Sequence, residues 1–156
     1  MISKSKFSKL PQDQKEKIIA ALFQAKYQGF DSEDGVDINV PAGYTVRAAA
    51  VLTAEEHDAL VKKIFVVFEE SNSFITEVDI DTISEYAKQL EKAGRFVSTR
   101  DDLWFVTNQK WTFQAYQVAD GRILLMDLDM IMKGIEKYYG EDRELRDTLR
   151  HFGLVK

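Results

Sequence analysis

Arg95-Phe-Val-Ser-Thr99, Leu103-Trp-Phe-Val-Thr107, Lys110-Trp-Thr-Phe-Gln-Ala-Tyr-Gln-Val118 and Ile123-Leu-Leu-Met-Asp127 are four consecutive stretches rich in β-branched and aromatic residues. The breaks between them are short and polar: Arg100-Asp-Asp102, Asn108-Gln109 and Asp120-Gly121. Such side chains suit a pleated surface, and Asp-Gly supplies the positive φ angles that a tight hairpin turn needs. Residues 95–127 therefore predict an antiparallel meander of up to four strands. This reading sets the fold class: α+β, with an antiparallel sheet that includes the meander and is packed by four or five helices.

The chain ahead of the meander alternates in type. Residues 1–9 read as a basic arm. Pro11 is pre-organised for the first turn of a helix, and Ile18, Ile19, Leu22, Phe23 and Tyr27 make its apolar stripe, with Gly29 as the stop. Residues 31–37 read as an acidic loop. Val36–Val40 and Tyr44–Leu52 read as two strands of a hairpin about Pro41-Ala-Gly43. Thr53-Ala-Glu-Glu56 has the form of a capping box, which selects a helix from Ala54 to about Glu70. The run Ile64–Phe68 inside it also suits a buried strand, and five apolar residues do not separate the two by period. Phe74–Ile80 reads as a strand, and Asp81 as the cap of a helix that stops at Gly94. Beyond the meander, helices are expected from about Met130 to Tyr139 and from about Asp142 to Phe152. No linker or low-complexity tract interrupts residues 1–156, so one domain is expected.

Composition narrows the chemistry. The 156 residues include 21 basic and 26 acidic ones, a net charge of −5. That balance gives no overall field for wrapping nucleic acid, which is expected as an unlikely partner. There is no cysteine, so disulfides, thiol nucleophiles and Cys-ligated metals are excluded. No apolar stretch approaches the ~20 residues of a membrane span, and the N-terminus lacks the apolar segment of a secretory signal. A cytoplasmic protein that meets no membrane is the expectation.

Two Asp-x-Asp pairs, Asp79/Asp81 and Asp127/Asp129, could offer carboxylates to Mg²⁺ or Mn²⁺. The plainer reading makes the second Asp of each pair the cap of a helix. Asp31-Ser-Glu-Asp-Gly35 fails as a calcium loop, since the sixth position is Val36 and the twelfth Ala42. His57 and His151 lack metal spacing and an activated serine. No glycine-rich phosphate loop occurs, so no cofactor is expected. Arg143, Arg146 and Arg150 share one side of the last helix. Trp104, Trp111 and Tyr116 are the meander's aromatic anchors.

Trp, Tyr and Arg are enriched at binding hot spots. Those six residues are therefore the expected binding site of a small regulatory protein that works through protein–protein contacts. Two alternatives stand beside it: a metal-assisted hydrolase or transferase using the Asp-x-Asp carboxylates, and an oligomeric structural subunit of a larger assembly.

Overall fold

Two adjacent residues in the left-handed region, His57 (φ 53°) and Asp58 (φ 63°), turn the chain between β2 (Thr45–Glu56) and β3 (Ala59–Glu69). This hairpin replaces the expected helix over 54–70. Leu52, Ile64, Phe65, Val66 and Val67 are all buried, and alternate residues of β3 pack on opposite faces of the sheet. A central strand covered on both faces reads as a continuous apolar run. The Thr53-to-Glu56 signature is a coincidence of strand residues. A two-residue loop with positive φ twice favours Asn-Gly, so the double substitution His57→Asn/Asp58→Gly is expected to raise stability by about 0.5–1 kcal/mol. A higher midpoint in thermal unfolding is the check; an unchanged or lower one contradicts the turn.

The computed structural model describes residues 2–156. Of the expected N-terminal arm, Met1 lies outside the described residues. Lys4–Ser8 form a short helix, α1, that buries Phe7 completely. Then come α2 (Gln12–Lys26), β1 (Asp31–Asn39), β2, β3, α3 (Glu77–Lys92), β4 (Asp102–Thr107), α4 (Phe113–Ala119), β5 (Leu124–Met126), α5 (Leu128–Tyr139) and α6 (Arg143–His151). The strands run in the order β1-β2-β3-β4-β5. β1, β2 and β3 are antiparallel neighbours, whereas β4 and β5 continue the sheet in parallel with β3. Helices α1, α2, α5 and α6 cover one face around Phe23, Ile64, Val66 and Leu149. Helices α3 and α4 cover the other around Phe65, Val67, Ile83 and Phe105.

The antiparallel sheet with a meander over 95–127 is therefore corrected to a mixed sheet, with five strands and six helices among the described residues, α+β overall. Parallel neighbours need a crossover rather than a hairpin, and the supposed third strand is that crossover. The Thr112 hydroxyl accepts from the Ala115 N–H at 3.1 Å and starts α4. Ala115 and Ala119, one turn apart, are buried while Phe113, Gln114, Tyr116 and Gln117 face out. Asp120 and Gly121 (φ 46° and 71°) end this helix instead of turning a hairpin. The expected strand 74–80 is corrected as well: Thr76 and Asp79 form a capping box, with the Thr76 N–H donating to Asp79 Oδ2 at 2.8 Å, and α3 begins there.

Candidate functional site

Charges on the apolar face of α2 locate the site. Lys15 and Glu16 lie at stripe spacing from Ile18, Ile19 and Leu22, and only 4% and 8% of their surfaces are exposed. A buried charge needs a partner. Lys15 Nζ donates to Glu70 Oε2 at 2.7 Å. Glu16 Oε2 accepts from Arg47 Nε at 3.2 Å, and Arg47 Nη1 reaches both oxygens of Asp37 at 3.2 Å. Asp37 and Arg47 face each other across β1 and β2. The hydrogen bonds to Glu16 and then Asp37 hold the guanidinium more firmly protonated than usual. Gly35, at φ 59°, leaves room for this arginine: a Cβ there would come within 3.0 Å of Nη2.

Strand direction gathers more polar groups at the same end. β2 begins where β3 ends, since Ala50 pairs with Val66. Arg47 thus lies beside the end of β3, where Glu69 and Glu70 diverge to opposite faces. β4 and β5, parallel to β3, finish there too, the usual place for ligands in open sheets. The Asn108 side chain pairs with Ser71 like a strand backbone, accepting from its N–H at 2.8 Å and donating to its carbonyl at 3.1 Å. Gln109 Nε2 donates to the same carbonyl at 3.0 Å. On the α3 side, burial pushes the Glu69 carboxyl above its ordinary range, against the Tyr86 hydroxyl that donates to it at 3.3 Å.

The aspartate pairs do not converge. Asp79 caps α3, Asp81 is exposed, Asp127 accepts from the Met130 N–H at 2.9 Å, and Asp129 binds Lys4. In each pair it is the first aspartate that serves a helix start, Asp79 as the third residue of the Thr76 capping box and Asp127 as the N-cap of α5, and not the second. Among the described residues no three His, Asp or Glu side chains are placed to hold a metal ion.

The six expected binding residues are dispersed. Trp104 is half-buried under α2, where its indole N–H donates to the Tyr27 hydroxyl at 3.0 Å and its ring meets Phe23 edge-on. Trp111 is half-buried beside β5, and Tyr116 is 61% exposed on α4. On α6, Arg143 and Arg150 flank Asp147, and Arg146 donates to the Tyr139 carbonyl at 2.9 Å. Sequence reasoning missed the cluster of Lys15, Glu16, Asp37, Arg47 and Glu70. Its one signal was two charges set among the apolar positions of a helix.

No family model and no curated protein matches the sequence. Solved structures do match. A protein of unknown function, AF1548, superposes with a TM-score of 0.60 at 17% identity, over 92% of this chain and 79% of its own. MspJI restriction endonuclease, in complex with a 27-mer oligonucleotide, gives a TM-score of 0.58 at 10% identity over 94% of this chain. The DNA modification-dependent restriction endonuclease AspBHI gives 0.54 at 12% identity over 97%. This chain shares the fold of these structures. This chain spans 32% of the MspJI chain and 42% of the AspBHI chain.

These likenesses overturn two expectations, that of a regulatory protein working through protein contacts and that of nucleic acid as an unlikely partner. Net charge does not exclude such a partner, because it averages the surface, whereas nucleic acid meets one local face. Among the described residues no helix is long and apolar enough to cross a membrane.

Proposed function

We propose that this chain acts on nucleic acid as a phosphodiesterase domain of the restriction-endonuclease kind, in the cytoplasm. The reading is supported by the fold likeness over nearly the whole chain, and the observation that carries it is the charged cluster on the sheet end where β2 begins and β3 finishes. Arg47 is about half-exposed at its side chain and offers a forked donor to a phosphate. Lys15 adds a second positive charge behind it, and Glu70, 31% exposed, can accept a proton from an attacking water.

The residues present do not fit a divalent metal as they stand. Glu16 and Asp37 hold Arg47, and Glu70 holds Lys15, so each carboxylate already has its cation. That pairing favours a second reading, a domain that grips nucleic acid without cutting it.

One experiment separates the two. Labelled single- and double-stranded DNA is incubated with the protein in Mg²⁺ or Mn²⁺, and both retention and strand breakage are measured. Cleavage that disappears in Glu70→Gln supports the hydrolase. Retention without cleavage supports the second reading, and neither retention nor cleavage removes both.

A further inference from the structure

A groove of about 780 Å³ runs between α4, β5 and the start of α5, within the ~300–1,000 Å³ range of small-ligand sites. Trp111, Phe113, Tyr116, Leu125 and Met130 line it. Phe113 and Tyr116 are 68% and 61% exposed, an unusual exposure for two aromatic rings on one short helix. Gln117 adds an amide able to meet a base edge. The groove adjoins a second cavity lined by Lys4, Phe74, Asn108, Gln109, Lys110 and Asp129. The two meet at the consecutive residues Lys110–Trp111 and Asp129–Met130. Lys4 and Lys110 pair with Asp129, and Lys133 lies close enough to act on the same carboxylate. Against these three lysines stand Asp127 and Asp129, and Asp120 sits on the far rim. Lys110 is largely exposed at its side chain and Lys133 is exposed.

Aromatic rings beside exposed lysines are what an unpaired nucleotide needs, since any base has a face to stack and its phosphate needs a cation. The position agrees. Ser71, next to Glu70, is tied to Asn108 and Gln109, which lead directly into Lys110 and Trp111. β4 and β5 lie one and two strand spacings from β3, roughly 5 and 10 Å, so one nucleic-acid strand can reach both Glu70 and the groove.

We propose that this groove holds an unpaired nucleobase of the nucleic acid on which the chain acts, with the neighbouring phosphate on Lys110 and Lys133. The inference rests on the nucleic-acid reading above and adds its substrate class: single-stranded or locally unpaired.

The test measures anisotropy of three labelled oligonucleotides, a 12-nucleotide single strand, its duplex, and the duplex with one unpaired nucleotide. The wild type is expected to bind the first and third at least tenfold more tightly than the duplex. Phe113→Ala and Tyr116→Ala should each weaken that binding by about 5- to 150-fold and leave duplex binding unchanged. Both side chains are exposed, so circular dichroism should remain that of the wild type. If the duplex is bound and the two variants bind single strands as the wild type does, the groove assignment is overturned while the nucleic-acid reading stands. If no oligonucleotide is bound at all, the underlying reading fails. If the variants dissolve a dimer seen by light scattering and leave oligonucleotide binding intact, the groove joins copies of this chain and the proposal is wrong.

Discussion

Asp101→Ala is expected to lower stability by about 3–5 kcal/mol. The Asp101 side chain is wholly buried, and both its oxygens are engaged. Oδ1 accepts from the Lys63 N–H and Arg100 Nε, each at 2.8 Å, and Oδ2 accepts from the Val97 N–H at 2.9 Å and Arg100 Nη2 at 3.0 Å. This one carboxylate thereby fastens the start of β3 to the loop before β4, where the parallel pairing Ile64–Asp102 begins. Alanine would leave the N–H groups of Lys63 and Val97 without their acceptor and the one-third-exposed Arg100 guanidinium without its partner, and an unmade buried hydrogen bond costs more than a made one contributes. Burial alone would raise this carboxyl's pKa, but Arg100 and the N–H groups of Val97 and Lys63 outweigh it and hold the value below the ordinary one. The folded state therefore binds this proton less readily than the unfolded chain does. The stability it contributes is complete above the unfolded value of about 4 and is lost as pH falls through the depressed folded value. Urea unfolding of the wild type and Asp101→Ala at pH 7 and pH 3 is the measurement. The gap between them should narrow at pH 3, and an equal gap at both pH values would remove the argument.

Lys15→Met should separate function from stability. The substitution keeps the volume of the side chain and removes its charge from a site only 4% exposed. Removing one partner of an ion pair is costly where the other charge stays buried, but the abandoned Glu70, 31% exposed at its side chain, can turn to water. Stability is expected to stay within about 1 kcal/mol of the wild type. Cleavage or retention of nucleic acid is expected to fall by at least a hundredfold, on the order of 3 kcal/mol. On the proposed function a bound phosphate would lose one of two nearby cations, and Glu70 would lose the contact that fixes its position. A Lys15→Met protein with wild-type unfolding and wild-type action on DNA would show that the Lys15–Glu70 pair is architectural only. A large loss of stability would show that Glu70 is more deeply committed to Lys15 than its exposure implies.

Local chemistry determined the elements whose cause is local. The apolar stripe of α2 runs from Ile18 to Phe23, and the chain leaves the helix through Gly29 at φ 89°. The alternation from Val36 to Asn39 lies in β1, and Leu145 and Leu149 gave α6 its buried face. Asp142 also caps α6 as a short polar side chain should, accepting from the Leu145 N–H at 2.8 Å. Elsewhere the same signals were ambiguous, because the deciding partner is distant in sequence. Thr53 and Thr76 each open a capping-box pattern. Only Thr76 begins a helix, since residues 59–69 are claimed on one side by β2 and on the other by β4, about forty residues further on. Within the aromatic run 110–118, the residues from Phe113 on became α4 because β4 and β5 lie parallel, and a crossover must leave the sheet to return in the same direction. The site followed the same rule. Lys15 and Glu16 come from α2, Asp37 from β1, Arg47 from β2 and Glu70 from just past β3, and 55 positions separate Lys15 from Glu70. Periodicity marks two of them as charges out of place on a helix. Only the folded sheet, by ending β3 where β2 begins, brings their partners within hydrogen-bonding distance.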